Sequence, residues 1–243
     1  MDHDVYIATE RLQESHWWFL GRRAILQKLA RSFLPAKKIN ILDVGCGTGA
    51  NLVWLGSFGE ARGIDPAIEA VEACRRRGFT VLKGSLPHPE IAPGSFDLVT
   101  LIDVLEHIEN DVGMLEEISR VLKHQGRLLM TVPAWPFLWS GHDKTHHHRR
   151  RYQRGELIGK LREAGFRVEY VSYFNFLLSP PIVAARIAER LRERFGAQSR
   201  SGLTLVSEPL NTILRWIFSA ESRLLPMFRL PFGISLVVVA EKS

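Results

Sequence analysis

The stretch Ile41-Leu42-Asp43-Val44-Gly45-Cys46-Gly47-Thr48-Gly49 restricts the folds open to this chain more than any other. An apolar run suited to a buried strand ends in Asp-x-Gly-x-Gly-x-Gly, and the helix-compatible segment Ala50–Phe58 follows. Glycines at this spacing permit a turn too tight for side chains and let the backbone lie against a ligand. A second apolar run, Ala61–Ile64, ends in Asp65. That is about 20 residues past the turn, the distance at which a carboxylate reaches both hydroxyls of a ribose. The pattern predicts a nucleoside-bearing cofactor on a doubly wound α/β sheet.

Dinucleotide loops usually read G-x-G-x-x-G, with no carboxylate two residues ahead. Asp43 is badly placed for a pyrophosphate and well placed for an ammonium group. S-adenosylmethionine carries a sulfonium, an amino acid and a ribose, and no phosphate. At Asp43–Gly49 the chain resembles the class I S-adenosylmethionine-dependent methyltransferases, in the type 11/12 branch near the ubiquinone-pathway enzymes. Gly63-Ile64-Asp65 is similar to the ribose motif, Lys83-Gly84-Ser85-Leu86 falls where that family contacts adenine, and Phe96-Asp97-Leu98-Val99 opens the fourth strand. The resemblance covers Ile39 to Tyr173 and Ile234–Glu241. It implies a Rossmann-like, doubly wound seven-stranded sheet with an antiparallel last strand, and S-adenosylmethionine as cofactor. It also implies Asp43, Gly45, Gly47 and Gly49 at the methionine end, Asp65 at the ribose, Ser85 and Leu86 at the adenine, and Asp103 beside them.

Three segments follow from the chain's organisation. Residues 1–38 form an N-terminal helical cap, with a helix expected over Trp17–Phe33. Residues 39–173 with 234–243 form the core. Residues 174–233 form a helical insertion where the family has a short hairpin. The core strands are expected at Ile39–Val44, Ala61–Asp65, Phe79–Lys83, Asp97–Asp103, Arg127–Val132, Phe166–Tyr173 and Ile234–Ala240. A long irregular loop is expected over Ala134–Tyr152.

Two stretches carry candidate chemistry. Asp103-Val104-Leu105-Glu106-His107 is similar to the Glu-x-x-Glu-His stretch of ubiquinone-pathway and small-RNA methyltransferases, which in some of them binds a divalent ion. Asp103 replaces the first Glu and shortens the reach, so no metal is expected, and His107 is the first candidate base. The loop His142-Asp143-Lys144-Thr145-His146-His147-His148-Arg149-Arg150-Arg151-Tyr152 leaves the carboxyl end of a strand, where ligands bind in open α/β sheets. His148 is the second candidate base, and Arg150, Arg151 and Tyr152 are candidate acceptor contacts. Consecutive histidines cannot all point at one ion from a regular backbone. A solvated charged loop is the alternative. His16, Trp17 and Trp18 are placed as a lid over the acceptor, with core packing the alternative for both tryptophans.

The insertion is apolar and basic together: over 174–233, eight Arg oppose four Glu. Ile182, Val183, Ile187 and Leu191 can share a helical face beside Arg186, Arg190, Arg192 and Arg194, and Leu210–Leu225 repeats the theme. A membrane-interface element, a lid over an apolar acceptor and a plain helical cap remain open. The acceptor class expected is a small apolar or lipid-linked molecule, with O-methylation favoured. The alternatives are RNA or protein methylation, or a cofactor-binding scaffold without catalysis. The net charge of +6 suits anionic partners, but no nucleic-acid module accompanies it, so none is expected as partner. Two cysteines and no signal-like start lead to a reducing, cytoplasmic setting, and the membrane reading of the insertion would add peripheral contact to an anionic membrane surface.

Overall fold

The computed structural model describes residues 12–194 and 206–243. Seven strands form one sheet: β1 Ile39–Val44, β2 Gly59–Asp65, β3 Val81–Lys83, β4 Phe96–Ile102, β5 Leu122–Pro133, β6 Phe166–Phe174 and β7 Ser235–Lys242. Their order is β3-β2-β1-β4-β5-β7-β6. β1 runs parallel to β2 and β4, and β4 to β5, whereas β7 is antiparallel to both β5 and β6. This is the doubly wound architecture expected, with β7 inserted between β5 and β6.

Side chains along a strand alternate between faces. Ile41, Leu98, Leu129 and Val237 enter one buried cluster, while their neighbours Leu42, Val99, Leu128 and Val238 enter another. Both faces are covered, which is why these strands read as continuous apolar runs. The helices are α1 Trp17–Phe33, α2 Ala50–Leu55, α3 Ile68–Arg76, α4 Asp111–Val121, α5 Gly141–Thr145, α6 Arg154–Glu163, α7 Ser179–Arg194 and α8 Glu208–Ala220. Residues of α1, α2 and α8 fill the Ile41 cluster, and residues of α4 and α6 fill the Leu42 cluster.

The N-terminal helix and the insertion are joined. Phe218 of α8 is fully buried against Gly21 of α1, where an added Cβ would stand 2.2 Å from its ring. Only glycine permits that approach. The Trp17 N–H donates to Asn211 Oδ1 at 2.8 Å, and the Asn211 amide returns to Ser15 O at 2.9 Å. Two segments almost 200 residues apart thus form one cap.

Two expectations change. The loop over Ala134–Tyr152 is not irregular: it holds a 3-10 turn at Pro136–Leu138 and then α5, started by a Ser140–Asp143 capping box. β5 begins at Leu122 rather than Arg127, with Gln125 absorbing a register shift at φ 61°. The first insertion helix runs Ser179–Arg194; Phe195, and the side chains of Arg190, Leu191 and Arg194, lie outside the described residues. Among the described residues no helix is long and apolar enough to cross a membrane.

Candidate active site

Successive strands run outward from β1 toward β3 and from β4 toward β5, so the topological switch lies between the carboxyl ends of β1 and β4. Ligands bind at such points. A cavity of about 820 Å³ opens there and continues beneath α1, α7 and α8.

The glycine loop forms one end. Gly45, Gly47 and Gly49 all have positive φ (69, 53 and 84°). A Cβ on Gly47 would meet nothing within 4 Å, whereas one on Gly45 would strike Val104 and one on Gly49 would crowd Cys74 and Phe79. Gly47 therefore presents bare backbone to the cavity, and Gly49 serves the turn into α2 instead. Asp65, at the end of β2, accepts from Gly47 N–H on Oδ2 and Ala67 N–H on Oδ1, both at 2.9 Å. Burial raises its carboxyl pKa, against these two donors. Gly84 and Ser85 complete this end, with Ile108 and Met114 supplying apolar wall. Asp43 stands behind the loop, fully buried. Its Oδ1 accepts from the Thr100 hydroxyl at 2.6 Å, and Oδ2 has no partner at hydrogen-bonding geometry. Burial pushes its carboxyl up to about 7.

The other end is assembled from distant parts of the chain. Asp103, at φ 54°, accepts from Thr131 Oγ1 and pairs with Arg22 of α1. Glu106 is 1% exposed, and neither carboxylate oxygen has a partner. Burial, then the nearby Asp103 charge, raise its pKa well above the ordinary range. His107 Nδ1 lies 3.3 Å from the His147 carbonyl. A carbonyl only accepts, so Nδ1 carries the hydrogen and Nε2 keeps its lone pair. Burial, then the His148 ring, lower the His107 pKa to about 4. His148 packs edge-on to it, centroids 4.9 Å apart, and its Nδ1 donates to Asp143 Oδ1 at 2.9 Å. Burial raises the Asp143 pKa, but the His148 and Arg151 hydrogen bonds outweigh that and hold it far below the usual carboxylate range.

Ligand-capable atoms of Glu106, His107 and His148 all lie within 4.8 Å of one another. Two motifs read separately in the sequence, and expected to hold no ion, thus supply one three-donor set. Where they meet, Arg149 N–H donates to Glu106 O at 2.8 Å, a contact between segments 43 residues apart that no local signal announces.

His16 caps α1 by accepting from Trp18 N–H at 3.3 Å, and it lines the cavity with Trp17 and Trp18. Both indoles also pack on Phe218, so the lid and packing readings coexist. Arg151 reaches the cavity, but its guanidinium is bound to Asp143 and Ala134 O. Three expectations are corrected. Arg150 turns away to Asp111 and Glu109 O, drawn by a nearly buried carboxylate. Tyr152 is fully buried, donating to Asp111 Oδ2 at 3.0 Å beneath the loop. Leu86 joins the apolar core rather than the cavity wall. Cavity residues that sequence reasoning did not place there include Arg22, Asn51, Met114, Arg186 and Leu214; Arg186 approaches Ser140 and Glu189.

This seven-stranded fold, with a switch-point cavity behind a glycine loop, defines a Rossmann-like methyltransferase architecture. The "Methyltransferase domain" family matches residues 42–130. A ubiquinone biosynthesis O-methyltransferase of Xanthomonas euvesicatoria is 30% identical over 171 residues, 62% of this chain and 71% of that protein. A demethylmenaquinone methyltransferase of Tropheryma whipplei is 33% identical over 49% of this chain and 48% of that protein, so the chain spans about half of that relative. The fold is shared with a SAM-dependent methyltransferase from Archaeoglobus fulgidus, at TM-score 0.62, 18% identity and coverage of 99% and 100%. The chain belongs to the class I S-adenosylmethionine-dependent methyltransferases, and its cofactor is S-adenosylmethionine. The residues present fit that group: bare backbone at Gly47, a carboxylate at Asp65, an orphaned buried carboxylate oxygen at Asp43, and an apolar wall for a purine.

Proposed function

We propose that the chain methylates a hydroxyl of a small apolar or lipid-linked acceptor, with His107 as general base. The observation that carries this reading is the lining of the cavity. It brings the glycine loop and His107 together with an apolar wall of Trp17, Trp18, Ile182 and Leu214. About 820 Å³ is toward the upper end of the ~300–1,000 Å³ of small-molecule sites, leaving room for an acceptor beside the cofactor. The relatives named for quinone-pathway methylation support the same acceptor class.

When bound, S-adenosylmethionine supplies an electrophilic methyl group and departs as a neutral thioether that needs no acid. The remaining work falls to alignment, water exclusion and removal of the acceptor proton. Gly47 and Asp65 hold the cofactor, with Asp43 behind them and Ser85 at the adenine. The neutral His107 would take the acceptor's hydroxyl proton on Nε2, readying the oxygen to accept the methyl group that the cofactor supplies. His148, held by Asp143, fixes the His107 ring edge-on. Arg22, paired with Asp103, ties the α1 lid to the reacting end.

Incubation with methyl-labelled cofactor and separated lipid, polar and RNA fractions of a bacterial extract tests the reading. Label is expected in the lipid fraction; label confined to RNA or protein overturns it. The convergence of Glu106, His107 and His148 favours a second reading, in which a divalent ion sits between them and polarises the acceptor hydroxyl. His107 would then ligate rather than act as base. Under the first reading activity survives EDTA; activity lost to EDTA and restored by a divalent ion installs the second.

A further inference from the structure

Helix α8 is apolar on two faces. Inward, Leu214, Ile217 and Phe218 pack toward α1. Outward, Leu210, Ile213 and Trp216 recur every third residue and so share a stripe; they are 44, 56 and 71% exposed. Past the end of the helix, Leu224, Met227 and Phe228 add side chains 40, 73 and 58% exposed. Single exposed apolar residues are ordinary on a protein surface, but a run of large ones along one short element marks an interaction site.

The surrounding charge narrows the partner. Arg215, Arg223 and Arg229 are exposed, and across 206–233 Glu208 is the one exposed acid among the described residues, Glu221 being buried. We propose that this surface docks on an anionic lipid bilayer, with Trp216 and Ile213 entering the boundary between head groups and acyl chains, and the arginines meeting lipid phosphates. A helix with an apolar stripe and a basic flank has the physics of an interfacial element, and an indole suits a site with one wet and one apolar side. A second copy of the chain fits worse, because pairing this surface with itself would bring like charges together. Leu214, across the same helix from Trp216, lines the cavity. Docking therefore sets that wall of the cavity about one helix diameter, ~10 Å, from the acyl region. The argument uses none of the catalytic reading, so the two stand or fall separately.

Sedimentation with vesicles tests it on the full chain. Vesicles of phosphatidylcholine with phosphatidylglycerol should pellet the protein, and pure phosphatidylcholine should pellet far less. Added salt should release it, since exposed charges are screened over ~8 Å at physiological ionic strength. Trp216→Ser combined with Ile213→Ser should lower partitioning on the order of tenfold or more. Arg215→Glu with Arg223→Glu should weaken binding to the anionic vesicles only. All four side chains are exposed, and cofactor affinity by calorimetry should stay unchanged as the folding control. Wild-type protein that titrates cofactor normally yet ignores anionic vesicles in low salt overturns the docking and leaves the methyltransferase reading intact. Pelleting that survives the Trp216/Ile213 pair overturns the choice of surface. A dimer in sedimentation velocity, dissolved by Trp216→Ser, makes a second copy the occupant instead.

Discussion

The two ends of the cavity differ in how their ligand-facing groups are held. At the glycine-loop end the ligand-facing carboxylate is already held: Asp65 is fixed by the Gly47 and Ala67 amides, so its geometry is set before anything binds. At the far end several buried polar atoms have no partner, as Asp43 Oδ2 has none behind the loop. Glu106 is buried with both oxygens unpartnered, His146 Nε2 likewise, and His107 is pressed into its neutral form. Burying polar groups without partners costs stability, and such costs gather where a protein does chemistry. On the proposed reading, one end holds the cofactor and the other moves a proton.

The sharpest way to break that contrast is His107→Ala. If the far end does chemistry and not holding, kcat should fall by about 10²–10⁴-fold, while cofactor affinity by calorimetry stays put. A parallel loss of cofactor affinity would merge the two ends into one. The converse change is Asp65→Ala. Removing a charged acceptor from a buried pair of hydroxyls should weaken cofactor binding by about 1.5–3 kcal/mol, roughly 10- to 150-fold. Unchanged affinity in the same titration would take Asp65 out of the holding end.

Acid provides a gentler probe. The His107 pKa lies near 4 in the folded chain against 6.5 for a free imidazole. The unfolded chain therefore binds the extra proton first as pH falls. Stability from this group is full above about 6.5 and is lost progressively down to about 4, by the order of 1–3 kcal/mol. Denaturant titrations of wild type and His107→Gln across that window should converge as the pH drops. The acid limb of kcat should likewise fall nearer pH 4 than 6.5. A limb at 6.5 would mean that His107 is not the base.

Much of the loop end was legible in the chain. Gly45, Gly47 and Gly49, then Asp65 at the end of the next apolar run, work through backbone conformation and short connections, and local sequence determines both. The switch point followed too, because runs such as Ile41–Val44 and Leu98–Ile102, each interrupted by a single buried polar residue (Asp43, Thr100), have the mainly apolar character of strands buried on both faces. Leu86 was misjudged because a motif position does not say which side of the chain faces the ligand. Arg150, Arg151 and Tyr152 are consecutive, yet only Arg151 reaches the cavity, since Asp111 captures its two neighbours.

What the sequence by itself determined is the parallel core, the glycine turn and the cofactor chemistry, all set by residues within a few turns of one another. The tertiary structure alone decided that Glu106, His107 and His148 share one site and that Arg22 ties the first helix to Asp103. It also decided that Phe218 seats on Gly21 to join N-terminus and insertion in one cap. Those contacts span 40 to almost 200 residues. Over such separations the choice of neighbour belongs to packing of the whole sheet and its covering helices, because no local conformational preference reaches that far.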